Sequence, residues 1–202
     1  MSVRERIIEE SMAMFLKYGL KGVRMDDIAT TLGVSKRTIY EIFGDKENLI
    51  ETAIKDFYTK KHCKDMERTA GAENIIEKLL IGLSNAEESI QQSLPLMNDL
   101  KRFYPKIHLR IHEESYDKGM QGVREAISIG INQGLFLDNI GTEIPAALFV
   151  DLIQTVHHRI FSSVATAQQI AESMRYCLLL FVRGISTHKG IQQIDNYLAE
   201  KL

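Results

Sequence analysis

No proline occurs among the first 94 residues of this 202-residue chain, and only three occur at all, Pro95, Pro105 and Pro145. Proline removes a backbone donor and clashes with the preceding turn, so its scarcity leaves long stretches able to be helical. Apolar residues recur there at three- and four-residue spacing, and no stretch keeps up the alternation of a strand. The expected fold class is all-α. Glycines supply the stops. Ile7, Ile8, Ser11, Met14 (or Met12), Phe15 and Tyr18 make one helical stripe, closed by Gly19. Ile28, Ala29 and Leu32 make a second, with Asp26 and Asp27 in its first turn, where the helix dipole favours anions. Gly33 stops it. Ser35 caps a third helix, Lys36 to Phe43, whose inward side carries Ile39, Ile42 and Phe43. Gly44 ends that one, and Asp45 caps a fourth from Lys46 through Leu49, Ile50, Ala53 and Phe57 toward Met66.

After a break at Gly71 the pattern predicts helices at about 74–93, 96–103 and 105–133. A loop lies between Gly134 and Pro145, then two strongly apolar helices at about 143–165 and 167–188, and a final amphipathic piece at 191–202. The expected organisation is a domain of three short helices, 1–46, and a larger helical bundle, 47–202. The composition, 45% hydrophobic and 26% charged, is that of a globular chain. A net charge of −2 excludes binding of a polyanion through bulk charge, so any nucleic-acid contact must be a local patch. Cys63 and Cys177 are far apart, form no metal-ligand pattern, and read as reduced thiols. No apolar run reaches the ~18 residues of a spanning helix. The expected location is the cytoplasm, with no membrane partner.

The segment "IATTLGVSKRTIY" meets the demands of a helix-turn-helix, in which the second helix enters the major groove of DNA. Ala29 lets the two helices cross closely, and Gly33 can take a positive φ at the turn. Val34 and Ile39 point inward and set the interhelical angle. Ser35 caps the reading helix, so its positive end faces the same way as Lys36 and Arg37. Thr38 and Tyr40 add hydroxyls suited to phosphates or base edges. Lys46, at the start of the next helix, is placed to clamp a neighbouring phosphate. The alternative is an ordinary helical hairpin with a solvated basic face.

The run "RIIEESMAMFLKYGLKGVRMDDIATTLGVSKRTIYEIFGDKENLI" closely resembles the N-terminal DNA-binding domain of the TetR family of bacterial transcription regulators. The resemblance covers about the first quarter of the chain, with "DIA", "LGVSKRTIY" and "DKENLI" in fixed register. It implies a homodimer with one reading helix per subunit and a C-terminal ligand-binding and dimerisation domain. By position, Lys36, Arg37, Thr38, Tyr40 and Lys46 fall where family members contact DNA. Lys36, Arg37 and Thr38 are the candidates for reading bases; Arg37 paired bidentately with a guanine contributes about 1–3 kcal/mol of discrimination. Two departures stand out. Arg24 replaces the Ser or Thr that commonly caps the second helix, so that cap is lost or supplied otherwise and Arg24 can reach a phosphate. Ile42 replaces a residue that is often polar or aromatic, which removes one backbone contact.

In the last two long helices Phe149, Ile153, Val156, Ile160 and Val164 recur on one stripe, and Ile170, Met174, Cys177, Leu178, Phe181 and Ile185 on another. Further apolar residues lie off those stripes, among them Leu148, Val150, Leu152, Leu179, Leu180 and Val182. A helix apolar on more than one face needs partners on more than one side. With the resemblance, this points to a dimeric four-helix bundle whose interface includes Phe149, Ile153, Val156, Ile160, Val164, Met174, Leu178, Phe181 and Ile185. The alternative is that both helices are simply buried in one subunit. Two-fold symmetry then implies a palindromic operator on double-stranded DNA.

The middle region mixes apolar and polar rings. Met66, Met97, Phe103, Tyr104, His108, His112, Tyr116 and Met120, with His157, are the candidate lining of a pocket for an unidentified small-molecule effector. His108 and His112, four apart, can share one helix face for a metal, but Tyr116 stands where a zincin needs its second His. They read as solvated histidines. No Gly-rich phosphate loop, nucleophile elbow or paired carboxylates occur, so neither enzyme activity nor a cofactor is expected. The function expected is a ligand-responsive regulator, a repressor released by its effector. The rivals are an activator or architectural DNA binder that senses no small molecule, and a metal-dependent helical enzyme.

Overall fold

The computed structural model describes the backbone of residues 1–162 and 166–201, with their side chains except at 89, 91, 92, 157–162 and 201. Among these residues the helices run α1 (Val3–Tyr18), α2 (Met25–Leu32), α3 (Lys36–Phe43), α4 (Lys46–Arg68), α5 (Ile75–Phe103), α6 (Pro105–Asn132), α7 (Glu143–Ser162), α8 (Ala167–Ile185) and α9 (His188–Lys201), with a 3-10 turn at Asp138–Ile140. The fold is all-α, as expected, with an N-terminal helix-turn-helix and a C-terminal helical part. Extended pairing among the described residues is limited to one isolated bridge, Phe136 with Ser186. No helix among them is long and apolar enough to cross a membrane.

The chain forms two compact units, 1–64 with 91–113 and 65–90 with 114–202. In the first, α1 opens with a reciprocal cap: Ser2 Oγ accepts from the Glu5 N–H at 3.2 Å, and the Ser2 N–H donates to Glu5 Oε2 at 2.7 Å. Its inner face buries Ile7, Ile8, Ser11, Met12, Met14 and Phe15. Tyr18, expected on that stripe, is exposed, with the Lys17 ammonium 5.0 Å from its ring centroid. The short α2 and α3 have too few turns to stand alone. They are held by Ile28, Ala29, Ile39 and Phe43, buried against α1 and against Leu49, Ile50 and Ile54 of α4. This core does not close at Lys46; Leu96, Leu100 and Ile107 belong to it. Each such fully buried side chain contributes roughly 1.5–3 kcal/mol. Ile42, expected inward, is exposed, because an eight-residue helix buries only the pair four apart, Ile39 and Phe43.

The expected break at Pro95 does not occur, and α5 runs through it. Proline there deletes one helical N–H, while buried Leu96 and Leu100 hold the following turn in the core.

The core of the second unit gathers Ile75, Ile76 and Leu80 of α5 with Ile127 of α6, Ala146 of α7, Leu178, Val182 and Ile185 of α8, and Ile194 of α9. Phe136 folds back onto α6 at Gly130, where an added Cβ would fall 2.1 Å from its ring. The residues after α8 are drawn into this turn: Leu137 N–H donates to Ile185 O at 2.8 Å and Thr187 N–H to Leu135 O at 2.9 Å. Ser186 is therefore extended, α8 ends at Ile185 instead of near 188, and α9 starts at His188 instead of near 191.

Candidate nucleic-acid interface

The turn between α2 and α3 is built from two caps. Gly33 has φ 65° and ψ 32°, the left-handed conformation. Its N–H donates to Thr30 O at 3.3 Å, and the Val34 N–H reaches back to Ala29 O at 3.1 Å, the paired bonds of a Schellman ending. An added Cβ at Gly33 would meet nothing within 4 Å, so the backbone angle alone requires glycine. Ser35 then caps α3, its Oγ accepting from the Thr38 N–H at 3.0 Å and lying 2.8 Å from Thr38 Oγ1. Asp45 starts α4 in the same way, accepting from the Asn48 N–H at 2.8 Å.

Arg24 precedes α2 with an exposed side chain. It gives α2 no side-chain cap; Asp27 Oδ2, three residues on, accepts the Arg24 N–H at 2.7 Å, the reverse half of a capping box. Lys36 and Arg37 are exposed at the first turn of α3, yet both are paired. Lys36 Nζ lies 2.9 Å from Asp26 Oδ2, which raises its pKa. Arg37 Nε lies 2.7 Å from Glu41 Oε1, with the arginine side chain 86% exposed. Exposed pairs of this kind contribute little, and exchanging a carboxylate for a phosphate costs little. Tyr40 is exposed on the same helix.

Lys46 is different. Its ammonium is half-buried and donates to the Leu20 carbonyl at 2.7 Å, and burial pushes its pKa down. The Leu20 N–H donates to Asp99 Oδ2 at 2.9 Å. Both backbone polar groups of one residue between α1 and α2 are thus held by charged side chains of α4 and α5. Gly19 beside it has φ 77°, and a Cβ there would fall 2.7 Å from Asp99 Oδ2. Sequence spacing placed Lys46 as a phosphate clamp; the structure ties one of its three donors inside the unit.

The nine residues expected to line an effector pocket are divided between the two units. Met97, Phe103, Tyr104, His108 and His112 belong to the first unit and Met66, Tyr116, Met120 and His157 to the second. Met97 Sδ accepts from Tyr58 Oη at 3.2 Å, with the Tyr58 phenol pushed up to about 12 by burial. Phe103 stacks with Lys21 and Arg102, and Tyr104 packs on the first core. The rings of His108 and His112 are 6.2 Å apart, burial lowers the pKa of His108, and no group of three or more metal ligands occurs among the described residues. Met66 is half exposed and Tyr116 Oη bonds to Asp151 at 3.2 Å. Met120 packs on the second core, and the His157 side chain lies outside the described residues.

A cavity of about 230 Å³ does occur in the second unit. Leu79 of α5, Gly119, Gly122, Val123, Ala126 and Ile127 of α6, and Phe136 form part of its wall. Phe149 of α7 and Leu178, Phe181, Val182 and Ile185 of α8 complete it. Four of these, Phe149, Leu178, Phe181 and Ile185, were expected at a dimer face. They line this cavity instead, and the Phe149 and Phe181 rings stack with centroids 4.6 Å apart. Ile153, Val156 and Met174 are half-buried, and the side chains of Ile160 and Val164 lie outside the described residues. The outward stripe is the neighbouring one: Ile144, Leu148 and Leu152 on α7, and Tyr176 and Leu180 on α8, from 40% to 72% exposed.

Residues 7–53, which span this helix-turn-helix, match the family model described as "Bacterial regulatory proteins, tetR family". Over that segment the chain is similar to the TetR family. It is 25% identical over 159 residues to the uncharacterized HTH-type transcriptional regulator YvaF of Bacillus subtilis, covering 76% of this chain and 80% of that protein. A transcriptional regulator from Cytophaga hutchinsonii shares the fold with a TM-score of 0.80 at 21% identity, over 91% of this chain and 98% of that one. A putative regulator from Saccharomonospora viridis, solved in complex with choline, has a TM-score of 0.67 at 19% identity, over 92% and 98%. What this chain shares with these regulators is the fold and the N-terminal helix-turn-helix.

Proposed function

We propose that this chain is a regulator of the TetR family, a ligand-responsive repressor that binds a palindromic operator as a homodimer and is released by a small-molecule effector. The observation that carries the reading is the turn at Gly33. It holds α3 with its capped N-terminus, the exposed Lys36 and Arg37, and the half-buried Thr38 at one end. In this reading Lys36, Arg37 and Thr38 meet base edges, while Ser35, Tyr40 and Arg24 meet the sugar-phosphate backbone. Lys46 adds a phosphate contact through donors that its Leu20 bond does not use. Segment 1–46 carries the DNA contacts and segment 47–202 carries dimerisation and effector binding. The protein works in the cytoplasm, beside the bacterial chromosome.

The outward stripe of Ile144, Leu148, Leu152, Tyr176 and Leu180 supports dimerisation through α7 and α8, since a contiguous apolar patch on a water-facing surface calls for a partner. The cavity in the second unit supports an effector site, as does the neighbour from Saccharomonospora viridis solved with choline. An effector acts only through its differential affinity for two conformations; a coupling of about 1–3 kcal/mol weakens DNA binding roughly 5–150-fold. A regulator whose output is loss of DNA contact represses wherever its operator overlaps a promoter.

The test is selection of bound duplexes from a random pool by the purified protein. Inverted repeats with half-sites about one helical turn apart, roughly 10 base pairs or slightly more, are expected. Retention of no inverted repeat defeats the reading.

A further inference from the structure

The cavity in the second unit has a wall of one chemical kind. All its lining residues are Gly, Ala, Val, Leu, Ile or Phe. A carboxylate or hydrogen-bonding group entering it gives up water for nothing, and an ammonium finds only phenylalanine rings, whereas an apolar surface gains by leaving water.

Two glycines make part of that wall. Gly119 and Gly122 are three residues apart on α6 and so share a face. Neither has a positive φ. A Cβ on Gly122 would meet nothing within 4 Å, and one on Gly119 only Val150 Cγ2 at 3.9 Å, an ordinary contact. Gly130, further along α6, is explained by the Phe136 ring packed on it; these two have no such neighbour. Glycine weakens a helix interior relative to alanine. What the two missing side chains provide is room in the cavity.

We propose that this cavity binds an uncharged, hydrocarbon-rich small molecule, with Gly119 and Gly122 as the residues that determine what fits. The proposal rests on the reading of the cavity as an effector site and names the class of effector. The volume is about 230 Å³. An apolar cavity of roughly 150 Å³ takes benzene, so a ligand of about ten non-hydrogen atoms fits by proportion. Phe136, Phe149 and Phe181 suit a flat ring system, which they can meet edge-on or offset.

The experiment titrates the full-length protein with three probes of similar size: naphthalene, phenyltrimethylammonium and 3-phenylpropanoate. Calorimetry and thermal melting give the readouts. Naphthalene is expected to bind saturably and raise the melting temperature, and 3-phenylpropanoate to bind at least ~100-fold more weakly because its carboxylate has no donor in the wall. Phenyltrimethylammonium, whose charge meets only phenylalanine ring faces, is expected to bind at least ~10-fold more weakly than naphthalene. Gly122→Ala and Gly119→Ala are each expected to raise the melting temperature of the protein alone by about 2–4 °C, through helix propensity. Each should also weaken naphthalene binding at least ~10-fold by filling the space, and Gly122→Leu should abolish it. Absence of saturable naphthalene binding, an ion that binds as tightly, or alanine variants with undiminished affinity each overturn the proposal. Naphthalene binding that leaves DNA affinity unchanged upholds the ligand class and removes only the effector role.

Discussion

Replacement of Asp99 tests whether the loop that presents the DNA-reading helices is held by charge. Leu20 is fully buried, so its peptide cannot fall back on water. Its N–H is 2.9 Å from Asp99 Oδ2, and its carbonyl is 2.7 Å from Lys46 Nζ. A hydrogen bond to a charged acceptor contributes about 1.5–3 kcal/mol, and its loss here strands a buried donor. Asp99→Ala is therefore expected to destabilise the protein by about 2 kcal/mol, a fall in melting temperature of roughly 4–8 °C for a chain of this length. Asp99→Asn keeps an acceptor without the charge, and about half the loss is expected. Urea unfolding and thermal melting would rank the variants Asp, Asn, Ala. DNA affinity should fall in the same order while the slope of log affinity against log salt stays that of the wild type, because no phosphate contact is removed. An alanine variant within about 0.5 kcal/mol of the wild type, or an asparagine variant less stable than alanine, refutes the reasoning.

Three further outcomes are expected. Glu41→Gln removes the carboxylate 2.7 Å from Arg37 Nε and a negative charge from the reading face, so DNA affinity at low salt should rise roughly threefold by fluorescence anisotropy; no rise means the pair does not compete with DNA. Leu148→Lys combined with Leu180→Lys puts charges on the outward stripe, and sedimentation should shift from two chains to one; an unchanged mass places the interface elsewhere. Glu51 is held below its ordinary pKa of 4.5 by Arg110 first and by Lys55, so its stabilisation is present above 4.5 and lost as pH falls through the lower folded value. Glu51→Gln should cost about 1 kcal/mol at neutral pH and almost nothing in strong acid, and a difference that persists at low pH contradicts the assignment.

The front of the molecule was legible because local chemistry decides it. Gly33, Ser35, Gly44 and Asp45 each impose a turn or cap through their own backbone or side chain, whatever packs around them. The back was legible only as helices. Both α7 and α8 are apolar on two faces, and periodicity cannot tell the face that lines a cavity from the one that faces water. The stripe containing Phe149 and Phe181 was assigned outward, and the structure turns it inward, leaving Leu148 and Leu180 exposed. The cavity was missed for a related reason: polar rings were sought, while its wall is apolar. The available signal was Gly119 and Gly122, two glycines at helical spacing inside a helix. Asp99 carried no signal at all, since its partner is a backbone peptide 79 residues away.

In the proposed function, the paired state of Lys36 and Arg37 explains how a chain of net charge −2 would bind DNA selectively. Lys36 and Arg37 are not bare charges; Asp26 and Glu41 accompany them on the same surface. Near any stretch of duplex those carboxylates repel phosphates, which weakens binding that relies on charge alone. At a matched site each cation changes partner, from carboxylate to phosphate or base, and the gain must exceed the small cost of the exchange plus the residual repulsion. Geometry then matters more than total charge. That is why the caps at Gly33 and Ser35, and the Leu20 peptide held between Asp99 and Lys46, bear on specificity as well as on stability. A loosened loop would leave the charges in place and degrade their aim.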